Sequence, residues 1–164
     1  MTGFQLIAAM NPCACGWLGE PSGRCHCTSE QVRRYRNRIS GPLLDRIDMH
    51  VEVPRLSFDE MNGPRGECSA AVRERVIGTR NRQLQRNNAL NSRLTHRQME
   101  DVCALNKPGQ LLLQQAIEKL QLSARTHRRI LKLARTIADM AASEHITAGH
   151  LSEAINYRCM DRRI

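Results

Sequence analysis

From about residue 68 to the C-terminus, the sequence repeats apolar stripes at helical spacing, most of them preceded by a residue that caps helices. Thr95, Ser123 and Thr147 each stand directly before such a segment, and Pro108 suits the first turn of another. Apolar residues then recur three and four positions apart, as on one face of a helix. Because capping and apolar spacing agree, this half of the chain is predicted to be a bundle of helices.

The first helix of this region is expected to begin at Ser69, which would be its N-cap. The same spacing predicts that Val72 and Val76 are buried on its inner face. A segment rich in Gly, Pro and acids, residues 56–67, precedes it and is typical of a linker.

Residues 1–55 carry different signals. Phe4–Met10 is an apolar run that ends at Asn11-Pro12, and residues 49–53 alternate between apolar and polar, so both are predicted to be strands. Residues 29–38 begin with a capping serine and are predicted to form a helix. The predicted fold is therefore mainly α: a short α/β portion over 1–55 with a Cys-rich loop, a linker over 56–67, and a helical domain over 68–164.

Composition narrows the classes of function. No apolar run approaches the ~20 residues of a membrane span, and no secretory signal is evident, so we expect a cytoplasmic protein without a membrane partner. The net charge is +9, and 22 of the 25 basic residues are Arg, which favours phosphate as the binding partner. Aromatic residues are only 3%, which argues against single-strand binding by base stacking.

Four of the seven cysteines, Cys13, Cys15, Cys25 and Cys27, lie within 15 residues. Four thiolates in one loop can supply a tetrahedral structural Zn²⁺ site. The Cys-x-Cys spacing is less usual than the Cys-x-x-Cys of common zinc knuckles, so a loop of four reduced thiols is the alternative.

Two polar residues near the predicted strands are candidates for chemistry. Asn11 follows the first strand, where sheets of α/β proteins bind ligands, although Asn-Pro is also a common turn. Arg46 lies between Asp45 and Asp48 in a short turn. It either belongs to a local ion-pair network or is presented outward to the phosphate of a neighbouring subunit.

The segment after Ser123 carries a third candidate. Arg125, Arg128, Lys132 and Arg135 recur at steps of three and four, so they are predicted to form one basic stripe. Arg125 lies in the first turn, where a helix N-terminus already favours an anion. A solvated face and a DNA-reading helix are the alternatives.

Four segments resemble the C-terminal part of the magnesium-chelatase-like AAA+ ATPases, in particular the bacterial branch that includes the competence proteins. They cover nearly the whole chain, in this order: FQLIAAMNPCACG at 4–16, SGPLLDRIDMHVEV at 40–53, SARTHRRILKLARTIAD at 123–139 and HLSEAINYR at 150–158. The resemblance implies that the chain holds the last part of an AAA+ core and the helical lid that follows it.

The resemblance also implies roles for individual residues. Asn11 would be sensor 1, Arg46 the arginine finger acting on a neighbour's ATP, and Arg125 sensor 2, with Arg128 beside it at the nucleotide. The intact protein would bind ATP with Mg²⁺, form a hexameric ring, and act on DNA as a branch-migration helicase in recombination.

The sequence contains no Gly-x-x-x-x-Gly-Lys-Ser/Thr loop to cradle the phosphates of ATP. We therefore expect a C-terminal portion of a longer protein, with negligible ATPase activity on its own. Two alternatives stay open: a stand-alone zinc-containing DNA-binding module, and an AAA+ protein with a chelatase or chaperone-like task.

Overall fold

The computed structural model describes residues 5–21 and 23–158 of the chain. These residues are mainly helical, which confirms the predicted fold class. The α-helices are α1 (Ser29–Arg36), α2 (Gly41–Leu44), α3 (Phe58–Asn62), α4 (Ser69–Asn87), α5 (His96–Val102), α6 (Lys107–Leu120), α7 (Ala124–Met140) and α8 (Ala148–Asn156), with a 3-10 helix over Asn91–Arg93.

The chain forms two compact units, the first ending at Leu44 and the second beginning at Asp45. The division falls inside the predicted first region, because residues 45–50 bond to the helical region. The stretch predicted as a linker holds α3, whose N-cap Ser57 forms a capping box with Glu60.

The second unit is built around α7, which packs against α4, α5, α8 and the 3-10 helix. Ile130, Ala134 and Ala138 recur on one face of α7 and are buried, as the apolar spacing predicts. Leu151 and Ala154 of α8 lie in the same core. The predicted bundle of helices is therefore confirmed over the described residues.

The predicted caps of three helices are also confirmed. The side-chain oxygens of Thr95, Ser123 and Thr147 each accept a hydrogen bond from the backbone N–H three residues later. Asn106 caps α6 in the same way, and Pro108 lies in the first turn of that helix. These caps satisfy N–H groups that a helix N-terminus otherwise leaves without partners.

The two predicted strands are absent from the described residues, and this prediction is wrong there. Residues 5–10 have no regular structure, and Leu6 and Ile7 are exposed; Phe4 lies outside the described residues. Residues 49–53 contribute one isolated parallel bridge, between His50 and Arg158. A strand needs a neighbouring strand to satisfy its backbone groups, and the described residues supply none.

The helix α4 differs from its prediction in two ways. Its N-cap is Cys68, without a side-chain cap bond, and Val72 and Val76 are exposed. The buried side chains of α4 are instead the polar Thr79 and Gln83, because this helix packs through hydrogen bonds. Neither α4 nor any other helix among the described residues is long and apolar enough to cross a membrane.

Candidate functional sites

The first candidate site is the thiol cluster formed by Cys13, Cys15, Cys25 and Cys27. All four sulfur atoms lie within 4.8 Å of one another. The Sγ of Cys15 is 3.3 Å from that of Cys13 and 3.6 Å from that of Cys25. Four sulfurs around a Zn²⁺ ion with Zn–S bonds of about 2.3 Å would be about 3.8 Å apart. The observed spacing therefore fits a tetrahedral zinc ion.

Local backbone geometry brings the two cysteine pairs together. Gly16, Gly19 and Gly23 have φ values of +82°, +88° and +68°, which favour glycine and let the loop reverse between the pairs. The backbone N–H of Gly16 donates to the carbonyl of Cys13 at 3.1 Å. Arg36 of α1 bonds to the residue just before the first cysteine, since its Nε donates to the carbonyl of Pro12 at 3.2 Å.

The pKa values of Cys13 and Cys25 are shifted in opposite directions. Burial opposes ionisation of Cys13, but hydrogen bonds from the Cys15 thiol and from neighbouring backbone lower its pKa to about 6. The backbone N–H of Cys27 favours the Cys25 thiolate, yet desolvation and the adjacent sulfurs raise the pKa of Cys25 to about 11. A divalent cation at the centre of the cluster would favour the thiolate form of all four.

Asn11 lies in the first unit, on the chain just before the cysteine loop. Its side chain is exposed, and its Nδ2 would be 3.7 Å from a Cβ added at Gly16. The residue follows an irregular segment instead of the predicted strand. Its role as sensor 1 stays a prediction.

The second candidate site is the segment around Arg46, in the second unit. The guanidinium of Arg46 is exposed and makes no hydrogen bond or ion pair with the described residues. Its flanking acids pair elsewhere: Asp45 lies 3.5 Å from Arg125, and Asp48 lies 2.8 Å from Arg129. Among the described residues, therefore, no local ion-pair network includes Arg46.

The backbone of this segment is held in place, although the Arg46 side chain makes no bond to any residue that the structure describes. Arg129 of α7 donates to the carbonyl of Arg46, and Arg158 donates to the carbonyl of Ile47. The N–H of His50 donates to the carbonyl of Tyr157 at 2.7 Å. Arg46 is thus an exposed cation on a backbone held by α7 and by the residues after α8.

Asp45 binds the start of α7. Its carboxylate accepts hydrogen bonds from the hydroxyls of Thr126 and Ser123, the latter at 3.2 Å, and it forms the ion pair with Arg125. The Thr126 hydroxyl does most to lower the pKa of Asp45; partial burial opposes it, and Ser123 and Arg125 add to the lowering. Asp45 is therefore a carboxylate at neutral pH.

A cleft of about 670 Å³ lies beside this segment. Its lining includes Arg125 and Arg128, which are both exposed, together with Arg129, Lys132 and Asp48. Arg128 makes no hydrogen bond or ion pair with the described residues. The structure thus places the two predicted nucleotide-contacting arginines in one cleft of adequate size for phosphate groups.

The predicted basic stripe along α7 is only partly present. Lys132 Nζ donates to the carbonyls of Ser92 and Leu94, and Arg135 is 2% exposed and paired with Asp139. Both cations bond to protein groups; Arg135 is buried and Lys132 is half-buried. The four cations therefore do not form one continuous exposed stripe along α7, and the alternative of a DNA-reading helix stays a prediction.

Sequence reasoning missed a buried polar network centred on Asp139, which is fully buried. Its carboxylate accepts hydrogen bonds from Asn91 Nδ2 at 2.8 Å, Arg86 Nη2 at 3.0 Å and Arg135 Nε at 3.1 Å. Burial raises the pKa of Asp139, but the bonds from Arg86 and Asn91 and the two positive charges outweigh it, so the pKa is lowered. The four-residue spacing of Arg135 and Asp139 was the only local signal, and it gives no sign of burial.

Two families of known proteins match this chain, one over each part of it. Residues 66–158 match the family described as magnesium chelatase, subunit ChlI C-terminal, and residues 1–61 match magnesium chelatase, subunit ChlI. The chain belongs to the magnesium chelatase ChlI family, which confirms the resemblance.

Within that family the chain is of the ComM/YifB type. It is 44% identical to the competence protein ComM of Haemophilus influenzae and 43% identical to the uncharacterized protein YifB of Salmonella typhimurium, each over 97% of this chain and 31% of the relative. It is 32% identical to the uncharacterized protein Mb2921c of Mycobacterium bovis, over 94% of this chain and 31% of that protein. The chain thus spans less than a third of the length of these relatives.

Proposed function

We propose that this chain is the nucleotide-sensing C-terminal portion of an AAA+ ATPase that assembles into a hexameric ring. Arg46 would reach the ATP of a neighbouring subunit, and Arg125 and Arg128 would contact the nucleotide of their own subunit. The observation that carries the proposal is an exposed Arg46 guanidinium that makes no bond with the described residues. Its backbone is held by Arg129, and the next residue, Ile47, is held by Arg158. An arginine finger needs this combination, because the cation must be available and its position must be set beforehand.

The residues present fit the phosphate side of ATP with Mg²⁺ but do not supply all of its site. Arg125 and Arg128 are exposed guanidinium groups in the cleft, and such groups bind phosphate oxygens in pairs. Bound ATP with Mg²⁺ would supply the phosphoryl group whose transfer to water releases energy. The loop that cradles those phosphates is not in this sequence, so it would come from the rest of the protein.

The test of this proposal compares variants of the full-length protein. Arg125→Ala is expected to lower ATP hydrolysis about tenfold or more, because a charged hydrogen bond contributes about 1.5–3 kcal/mol. The measurement is steady-state phosphate release. Arg80→Ala is the matched control: Arg80 is exposed on α4 and makes no bond with the described residues. Equal hydrolysis by the two variants would contradict the role of Arg125.

The intact ring would use ATP hydrolysis to act on DNA, as a helicase that promotes branch migration in recombination. A net charge of +9, carried largely by Arg, supports a partner rich in phosphate. One relative is named a competence protein, which is compatible with DNA as the partner. Such an activity belongs in the cytoplasm, where ATP and DNA are available.

We also propose that the thiol cluster holds a structural Zn²⁺. The support is the spacing of the four sulfurs and the three glycines that fold the loop around them. A closed set of four Cys ligands leaves no open position for a substrate, so the ion would stabilise the first unit without reacting.

Chain purified without chelators is expected to hold close to one zinc ion, and Cys13→Ser is expected to lose it, because Cys13 is the buried ligand. The measurement is elemental analysis of zinc per chain. Cys68→Ser is the matched control, since Cys68 is an exposed cysteine outside the cluster. Zinc below about 0.2 per wild-type chain would contradict the site.

A further inference from the structure

The residue before Arg46 is bonded to the start of α7 at three points. Two are neutral hydroxyl donors, from Ser123 and Thr126, and the third is the guanidinium of Arg125. All three partners belong to the N-cap and first turn of one helix. Asp45 therefore joins the segment that carries Arg46 to the turn that carries Arg125.

The three bonds differ in strength. Thr126 is 2% exposed, so its bond to Asp45 is shielded from water and holds the carboxylate firmly. The Arg125 side chain is 59% exposed and its Nη1 is 3.5 Å from the carboxylate, which is a weak and solvated ion pair. Arg125 can thus leave Asp45 while the hydroxyl bonds stay in place.

We propose that Asp45 is a positioning residue that links Arg46 to Arg125 within one chain. It holds the backbone of Arg46 against α7 through Thr126 and Ser123, and it holds Arg125 until a phosphate group binds that guanidinium. This inference rests on the proposed function, because it concerns the residues that would contact ATP.

The Asp45 carboxylate is expected to affect nucleotide binding and hydrolysis in opposite senses. A phosphate that approaches Arg125 must compete with the Asp45 carboxylate and is repelled by it, so Asp45 weakens nucleotide binding. The same carboxylate fixes the backbone from which Arg46 projects, so it favours hydrolysis at the neighbouring site. Once Arg125 moves to a phosphate, Asp45 loses one of its three partners, and this subunit's own Arg46 carries that change to the nucleotide site of the neighbour.

The test uses the full-length ring with Asp45→Asn, which removes the charge with little change in shape. We expect KM for ATP to fall about two- to fivefold, as for loss of an exposed ion pair. We expect kcat to fall about tenfold or more, because small displacements of a catalytic group are costly. A side chain with only a structural role would not lower KM and kcat together.

Thr126→Val separates the two tasks of Asp45. It removes a hydroxyl donor and leaves the Arg125 pair, so kcat is expected to fall while KM does not. Asp48→Asn removes a charge from the same cleft without touching Arg125, and it is expected not to lower KM. Asp101→Asn, at an exposed carboxylate without bonds to the described residues, is the control for both constants.

Each part of the proposal has its own result that would overturn it. If Asp45→Asn leaves KM unchanged or raises it, or if Asp48→Asn lowers KM equally, the link to Arg125 is overturned. If Thr126→Val leaves kcat intact, the positioning of Arg46 by Asp45 is overturned. If Arg46→Ala and Arg125→Ala both leave hydrolysis unchanged, the proposed function itself has failed, whatever Asp45 does.

Discussion

Arg46→Ala, at the proposed arginine finger, is expected to lower ATP hydrolysis by the proposed full-length ring about a thousandfold or more, the usual contribution of such a residue. The reason is geometric: the Arg46 guanidinium is exposed and unbonded among the described residues, and its backbone is held by Arg129. The side chain supports little of the fold, so the variant is expected to keep its melting temperature. The measurements are steady-state phosphate release and thermal unfolding of the same preparation.

Mixing two defective variants tests whether Arg46 acts on a neighbour. Rings of Arg46→Ala and Arg125→Ala subunits contain some interfaces at which an intact Arg46 faces an intact Arg125. Partial recovery of hydrolysis in the mixture is expected if the finger acts between subunits. No recovery, or normal hydrolysis by Arg46→Ala alone, would contradict the assignment.

Asp139→Ala is expected to lower the free energy of unfolding of the helical unit by about 3–5 kcal/mol, because it leaves a buried cation without its partner. Arg135 is 2% exposed, and after the substitution its remaining bonds are to the carbonyls of Ser143 and Glu144. The measurement is urea unfolding followed by circular dichroism. Asp101→Ala, at an exposed site on α5, is the matched control and should change stability by less than about 0.5 kcal/mol.

The pH dependence of stability gives an independent check on Asp139. Its pKa in the folded chain is lowered, so its contribution is fully present above the unfolded value of about 3.9. That contribution is lost as the pH falls below this value towards the lower folded pKa. Asp139→Ala should therefore flatten the acid side of the stability curve. An unchanged acid side would show that the network does not stabilise the fold.

Local signals predicted the helices well, because capping and apolar spacing act within a few residues. Thr95 and Thr147 cap helices wherever the rest of the chain lies, since each bonds to a backbone N–H three positions away. Strand pairing has no such local origin. Residues 5–10 have the composition of a strand, but the described residues offer no neighbour for them to pair with.

The candidate sites were likewise predictable where the signal is local in sequence and not where it depends on distant residues. The cysteine cluster was predictable because its four cysteines lie close together in sequence, and the exposure of Arg46 followed from the resemblance. The partners of Asp45 were not predictable, since Thr126 is 81 residues away along the chain. Nor could spacing show that Arg135 turns inward, because burial depends on which helices pack around α7.

The bond between Arg158 and the carbonyl of Ile47 has a consequence for synthesis. These residues are 111 positions apart, so the ribosome adds Arg158 roughly 5 to 20 s after Ile47 at about 5–20 residues per second. During that interval the segment that carries Arg46 lacks the bonds that hold it, because Arg129 of α7 is added late in the interval and Arg158 only at its end. A nascent or prematurely ended chain would therefore lack an ordered Arg46 segment, and under the proposed function such a subunit would supply no arginine finger to a ring.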